Sequence, residues 1–282
     1  MGEFYNPDKL YKGGSRNNSL INKKMIFRVL GVLLFIESAM FLLCAAVSLC
    51  YGEQDYQYFL YTILLNTLVG GVLLICSRGA ENRLTRRDGY CIVTFTWFLF
   101  TLFGMLPFYF SGGIPSVTDA FFETMSGFTT TGATILDDIE SLSHGLLFWR
   151  SLTQWIGGLG IVFFTIAVLP IFGGGTIQLF SAEAIGVTHD KTHPRIDVMA
   201  KWLWMIYPIL TIAETVLLMI GGMSFFDAVC HSFSTTATGG YSTKQASVAY
   251  WNSPFIEYVI AIFMILSGIN FSLYFMCLKG KG

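Results

Sequence analysis

Two Thr/Gly strings hold the residues whose types and spacing could do chemistry: Phe128-Thr-Thr-Thr-Gly-Ala-Thr134 and Ser234-Thr-Thr-Ala-Thr-Gly-Gly-Tyr-Ser-Thr243. Each is wedged between long apolar stretches, where residues this polar need a reason. They contain no acid, base or thiol for bond-breaking chemistry. They offer instead a dense set of backbone carbonyls and hydroxyls, the ligand set of a dehydrated alkali cation. Threonine supplies oxygen compactly, and glycine permits φ > 0, so that carbonyls can turn toward one axis. Such oxygens replace a hydration shell without a full charge that would trap the ion. The cation-binding candidates are Thr130, Thr131, Gly132 and Ala133 in the first string, and Thr238, Gly239, Gly240 and Tyr241 in the second. The bland alternative, a polar extramembrane turn or a small-residue helix contact, fits one string better than two.

The elements around the strings are membrane spans. Hydrophobic residues make up 54% of the chain and charged residues 12%, a balance foreign to soluble domains. Apolar runs long enough to cross hydrocarbon lie near 26–50, 57–77, 90–110, 146–170, 202–222 and 255–278. All but Arg150 and Lys244 of the 17 Lys and Arg fall in the leader, at the first span's entry, after span two, between spans four and five, or after span six. Six spans with both termini cytoplasmic reproduce that positive-inside asymmetry. The net charge of −1 gives no reason to expect nucleic acid. The polar leader lacks the short apolar core of a secretory signal peptide.

The chain also repeats itself. Each repeat reads as a span, a short amphipathic segment, a Thr/Gly string and another span. Aligning Asp119-Ala120 on Asp227-Ala228 superposes Ser126 on Ser234, Thr130 on Thr238 and Gly132 on Gly240. Matching the Thr-Gly dipeptides instead pairs Gly132 with Gly239, and the sequence leaves both pairings open. Segments 118–128 and 226–235 are too short to cross, since ten helical residues reach about 15 Å. Asp119 and Asp227 mark helix starts. A half-crossing helix followed by a non-helical return is a re-entrant loop, which survives at membrane depth only when buried in protein or lining water. The helix's partially negative C-terminal end would favour a cation there.

Other residues read more plainly. Glu53, Asp55, Asp119, Glu123, Asp137, Asp138, Glu140 and Asp227 give the outer face an acidic excess that could concentrate cations or merely solvate loops. Arg150, beside Trp149, is expected to snorkel at the interface. Glu37 and Glu214 fall inside spans and call for partners. Gly157-Gly-Leu-Gly160 suggests close helix packing, His231 a packing and hydrogen-bonding role, and His189 and His193 a solvated or structural pair rather than a metal site. The six cysteines, without CxxC spacing, read as small packing residues.

Thr129-Thr-Thr-Gly-Ala-Thr134 and Thr236-Ala-Thr-Gly-Gly-Tyr-Ser-Thr243 resemble the first two filter loops of the Trk/Ktr/HKT potassium transporters. Trp149-Arg-Ser-Leu-Thr-Gln-Trp-Ile-Gly-Gly-Leu-Gly160 and Thr192-His-Pro-Arg-Ile196 resemble further stretches of bacterial Trk subunits. The resemblance implies an all-α polytopic membrane protein: an N-terminal two-helix hairpin plus two span–pore-helix–span repeats with re-entrant filter loops. The expected division is a cytoplasmic leader 1–25, a hairpin 26–87, a first repeat 88–172, a linker 173–197 and a second repeat 198–282. It implies potassium as the transported ion, held at Thr130, Thr131, Thr238 and Gly239, and no enzymatic activity or organic cofactor. It also implies a bacterial inner-membrane location in the lipid bilayer, a homodimer, and a cytoplasmic nucleotide-binding regulatory subunit. The family pattern has four repeats and this chain carries two. The expectation is therefore a piece of a longer chain, or a half completed by a second copy or another half-chain. The alternative function is a non-conducting scaffold that binds Trk-type partners.

Overall fold

The computed structural model describes residues 21–80, 86–160 and 196–269, all helix, turn and loop, with no strand among them. The leader, most of the linker with His189 and His193, and the chain after residue 269 lie outside the described residues. So do the later parts of the apolar runs expected at 146–170 and 255–278.

Helices α1 (Lys23–Cys50) and α2 (Tyr56–Cys76) form the expected hairpin. Asn22 caps α1 by accepting from the Met25 amide, and its own amide donates to Asp88 Oδ1 at 2.7 Å, tying the helix start to α3. The two helices meet closely at Gly31 and Gly70. A Cβ on either would press on the other's carbonyl oxygen, at 2.9 and 3.1 Å. Asn66 adds polar contacts, donating to Leu34 O at 3.2 Å and to Glu37 Oε2 at 3.0 Å, so the buried Glu37 has its partner.

Helix α3 (Arg86–Gly104) breaks at Met105 and restarts as α4 (Leu106–Phe110), which carries Pro107 in its first turn. Then come the half-length α5 (Val117–Phe128), α6 (His144–Gly158), α7 (Ile196–Ile220), the half-length α8 (Phe225–Thr236) and α9 (Pro254–Gly268). Lys23–Cys50, Tyr56–Cys76 and Arg87–Phe110 are long and apolar enough to cross a membrane. Leu60, Leu64, Leu68, Val72 and Ile75 leave an exposed apolar stripe down α2, a surface suited to lipid.

The main core joins α1, α3, α5 and α6 and reaches Phe226 and Cys230 of α8. Phe41 of α1 lies 4.5 Å from Trp149 of α6, ring to ring, and Trp149 Nε1 donates to Gly104 O at 2.8 Å. A smaller core of Leu218, Met223, Ala228, Ile256, Val259, Ile260 and Phe263 packs α7, α8 and α9. Trp155 bridges toward α7, where its ring nitrogen donates to Thr211 Oγ1 at 3.1 Å. The Gly157-Gly158 pair does what its composition suggested. Side chains there would collide with Phe128 O and with Tyr207 and Ala237, so these glycines let α6 touch α5's end and α7.

Candidate functional site

The two half-length helices start alike. Ser116 caps α5 by accepting from the Asp119 amide at 3.4 Å, and Ser224 caps α8 by accepting from the Asp227 amide at 3.1 Å. Ser224 also donates to Asp227 Oδ2 at 2.7 Å, completing a reciprocal cap. Both helices then end in the same turn. Thr130 N donates to Gly127 O at 3.0 Å as Thr238 N does to Thr235 O at 2.9 Å, and Thr131 N donates to Ser126 O at 2.9 Å as Gly239 N does to Ser234 O at 2.8 Å.

The backbone repeats residue for residue. Thr130 and Thr238 both have φ +54°, while Gly132 and Gly240 have +74° and +88°. This pattern pairs Gly132 with Gly240 and leaves Gly239 opposite Thr131. Positive φ is unusual for a β-branched residue and costs of order 1–3 kcal/mol, so the surroundings must impose it twice. Alternating the sign of φ rotates successive peptide planes, which is how neighbouring carbonyls come to share one side.

The loops touch each other. A Cβ on Gly132 would overlap the Gly239 carbonyl oxygen. Thr131, Ala133, Thr238 and Gly240 are exposed, Thr130 and Gly132 half-buried, and Gly239 and Tyr241 buried. Tyr241 therefore offers the loop only its backbone. Its side chain runs back into the protein, where its hydroxyl donates to Glu123 O at 2.8 Å.

A buried polar network holds this arrangement, and it corrects two expectations. Arg150 does not snorkel at an interface: it is 2% exposed, and its Nε donates to Glu123 Oε1 at 2.7 Å. Its Nη1 donates to Ser242 O at 3.0 Å, and the guanidinium sits 3.5 Å over the Tyr241 ring. Glu123, in turn, is no part of an acidic mouth. It is 1% exposed and also accepts from Thr134 Oγ1 and the Ile135 amide, both at 3.0 Å. One ion pair thus fixes the end of the first string and the end of the second.

Others of the acidic set are engaged too. Glu140 pairs with Lys244 at 3.1 Å, Glu53 meets His144 Nδ1 at 2.7 Å, and Asp227 accepts from Thr243 Oγ1 at 2.6 Å. Desolvation pulls the Lys244 pKa down, but Glu140 beside it, together with Asp227 and Tyr250, outweighs this and holds the ammonium above its ordinary value. His231 plays the expected role, buried and bonded to Asp227 O at 2.8 Å and Ser242 Oγ at 2.9 Å.

Sequence reading missed Gln154. It is fully buried, and its Oε1 accepts from Ser234 Oγ at 2.6 Å and from the Tyr241 amide at 3.1 Å. The available signal was its spacing: Arg150 and Gln154, the two long polar side chains of α6, stand one helical turn apart on one face.

Chemically, the site is a pair of adjoining loops rich in backbone carbonyls and hydroxyls, held on a buried polar frame. Among the described residues no cluster of His, Cys, Asp and Glu could hold a metal ion.

A model of the TrkH family, described as "Cation transport protein", matches residues 55–281. The chain is 43% identical over 260 residues to the Trk system potassium uptake protein TrkH of Salmonella typhimurium, covering 92% of this chain and 54% of that protein. It is 35% identical to the Trk system potassium uptake protein TrkG of Escherichia coli over the same share of each. The crystal structure of the potassium transporter TrkH from Vibrio parahaemolyticus superposes with a TM-score of 0.77 at 38% identity, covering 91% of this chain and 52% of that one. The chain belongs to the TrkH cation transport family, a family of transporters and not of enzymes. It spans about half the length of the curated relatives it matches.

Proposed function

We propose that this chain contributes two of the four walls of a potassium filter and conducts potassium across a membrane when two further repeats complete the ring. The observation that carries this reading is the matched pair of loops. Each follows a capped half-length helix with the same hydrogen bonds and the same signs of φ, and the two are in contact at Gly132 and Gly239. In this reading α5 and α8 are pore helices whose C-terminal ends point to the bilayer middle. Carbonyls and hydroxyls of Thr130, Thr131 and Gly132, and of Thr238, Gly239, Gly240 and the Tyr241 backbone, face the ion path, whereas the Ala133 carbonyl turns back to accept from Ser126 Oγ at 2.6 Å. Potassium is held at Thr130, Thr131, Thr238 and Gly239. The reading extends to a bacterial inner membrane with cytoplasmic termini, a homodimer and a cytoplasmic nucleotide-binding partner. These follow from the family resemblance and from the distribution of Lys and Arg.

The experiment is complementation in cells that lack potassium uptake. The chain is expressed alone and fused to the remaining half of the Salmonella typhimurium relative. Growth at low potassium with the fusion, lost potassium-over-sodium preference in its Gly132→Ser variant, and no growth with the chain alone are the expected results. A fusion that reaches the membrane without transporting potassium would leave the scaffold reading standing. Unchanged ion discrimination in Gly132→Ser would reject the filter assignment.

A further inference from the structure

We infer that Gln154 is a specificity-determining residue of the ion path: it holds the second loop from behind and sets the field of the carbonyls where the two loops meet. This deepens the filter reading above and rests on it.

Three observations converge on the side chain. First, Gln154 is fully buried, and its Oε1 takes two hydrogen bonds from the second string, one from Ser234 Oγ and one from the Tyr241 amide. A backbone N–H can only donate, so the amide's orientation is dictated: oxygen toward Tyr241, nitrogen away from it. Second, Nε2 has no hydrogen-bond partner among the described residues, although burial makes an idle donor costly. Third, that nitrogen lies at the junction of the loops. A Cβ on Gly239 would stand 2.6 Å from it and a Cβ on Gly132 3.8 Å from it.

An amide N–H dipole behind the Gly239 backbone, where that residue's carbonyl meets Gly132, weakens the negative potential the loop presents to a cation. Weakly negative oxygens favour potassium, whereas stronger ones recover the larger hydration energy of sodium. Gln154 therefore acts on the ion through the loop. It is a positioning residue that never touches the ion itself.

The test measures potassium and sodium influx through the fusion protein at matched membrane amounts. Gln154→Glu keeps the shape and an acceptor for Tyr241 N–H, and in its ionised form puts a negative oxygen where the idle donor stood. The sodium-to-potassium uptake ratio should rise roughly tenfold, the scale of one strong hydrogen bond. Gln154→Met, which removes donor and acceptor together, should also raise it. A role in packing alone would lower the amount of folded protein and leave the ratio untouched, and that result overturns the inference. Should neither variant accumulate, Ser234→Ala removes one donor to Oε1 and leaves the amide in place. The ratio then rises by a smaller factor, and an unchanged ratio overturns the inference. If the unmodified fusion moves no potassium, the filter reading fails and this inference with it. If the unmodified fusion is selective and the variants match it, only this inference fails.

Discussion

Gly132 and Gly240 occupy the same step of the two loops in different surroundings. Both have positive φ, but a Cβ at Gly132 would meet the Gly239 carbonyl, whereas nothing lies within 4 Å of one at Gly240. Gly240→Ala should therefore cost only the left-handed backbone, about 1 kcal/mol. Gly132→Ala must also displace a neighbouring backbone and should cost roughly 2–4 kcal/mol. Thermal unfolding of the two purified variants in detergent checks this; equal losses would mean that the loops do not press on one another. At this scale the sequence was legible where polarity stands against an apolar background, which exposed both strings. It was mute where the deciding quantity is a dihedral sign: adjacent Gly239 and Gly240 look alike until φ separates them. Arg150 was misread because Trp149 and the start of an apolar run were visible beside it, while its partner Glu123 lies 27 positions away.

Among the elements, α6 does most to position the loops. Arg150 and Gln154 reach the second string from one face, and Gly157 admits Phe128 O at the end of α5. Because the Glu123–Arg150 pair is almost wholly buried, removing one partner strands the other's charge. Glu123→Leu or Arg150→Met alone should each cost about 3–5 kcal/mol, and the two substitutions combined should cost less than their sum. A double-mutant cycle on unfolding midpoints measures the coupling, and additive losses would refute it. The helix caps are separable from this. Ser224→Ala removes two hydrogen bonds at the start of α8 and should cost about 1–2 kcal/mol, somewhat more than Ser116→Ala at the single-bond cap of α5. Equal losses in melting experiments would mean that the extra bond is worth nothing. The half-length helices could be read from the sequence because Asp119 and Asp227 flag their starts and the apolar runs bracket them. The polar face of α6 could not, since its residues acquire meaning only from loops distant in the chain.

For the whole molecule, the N-terminal hairpin is docked to the rest through α6. A Cβ at Gly145 would overlap Ser48 Oγ, the Phe41 ring packs on Trp149, and Tyr51 stacks on His144 at 3.8 Å with 6° between ring planes. Glu53 seals the joint by accepting from the His144 and Gly145 amides. Gly145→Val should lever the hairpin off and destabilise the protein by about 1–3 kcal/mol or more. Limited proteolysis in the loop Tyr51–Asp55 should then accelerate, and unchanged cleavage would argue that the joint is not under that constraint. Hydropathy announced the hairpin itself, but not the side of the bundle it occupies, because a lipid-facing stripe and a protein-facing one are equally apolar. The contact between Gly132 and Gly239 carries a final consequence, one of symmetry. In the proposed filter, two loops in contact are neighbours around the ion axis, not opposites across it. A ring closed by a second copy of this chain would alternate the two loop types, with like loops on its diagonals. A ring closed by a different half would instead have two unlike seams.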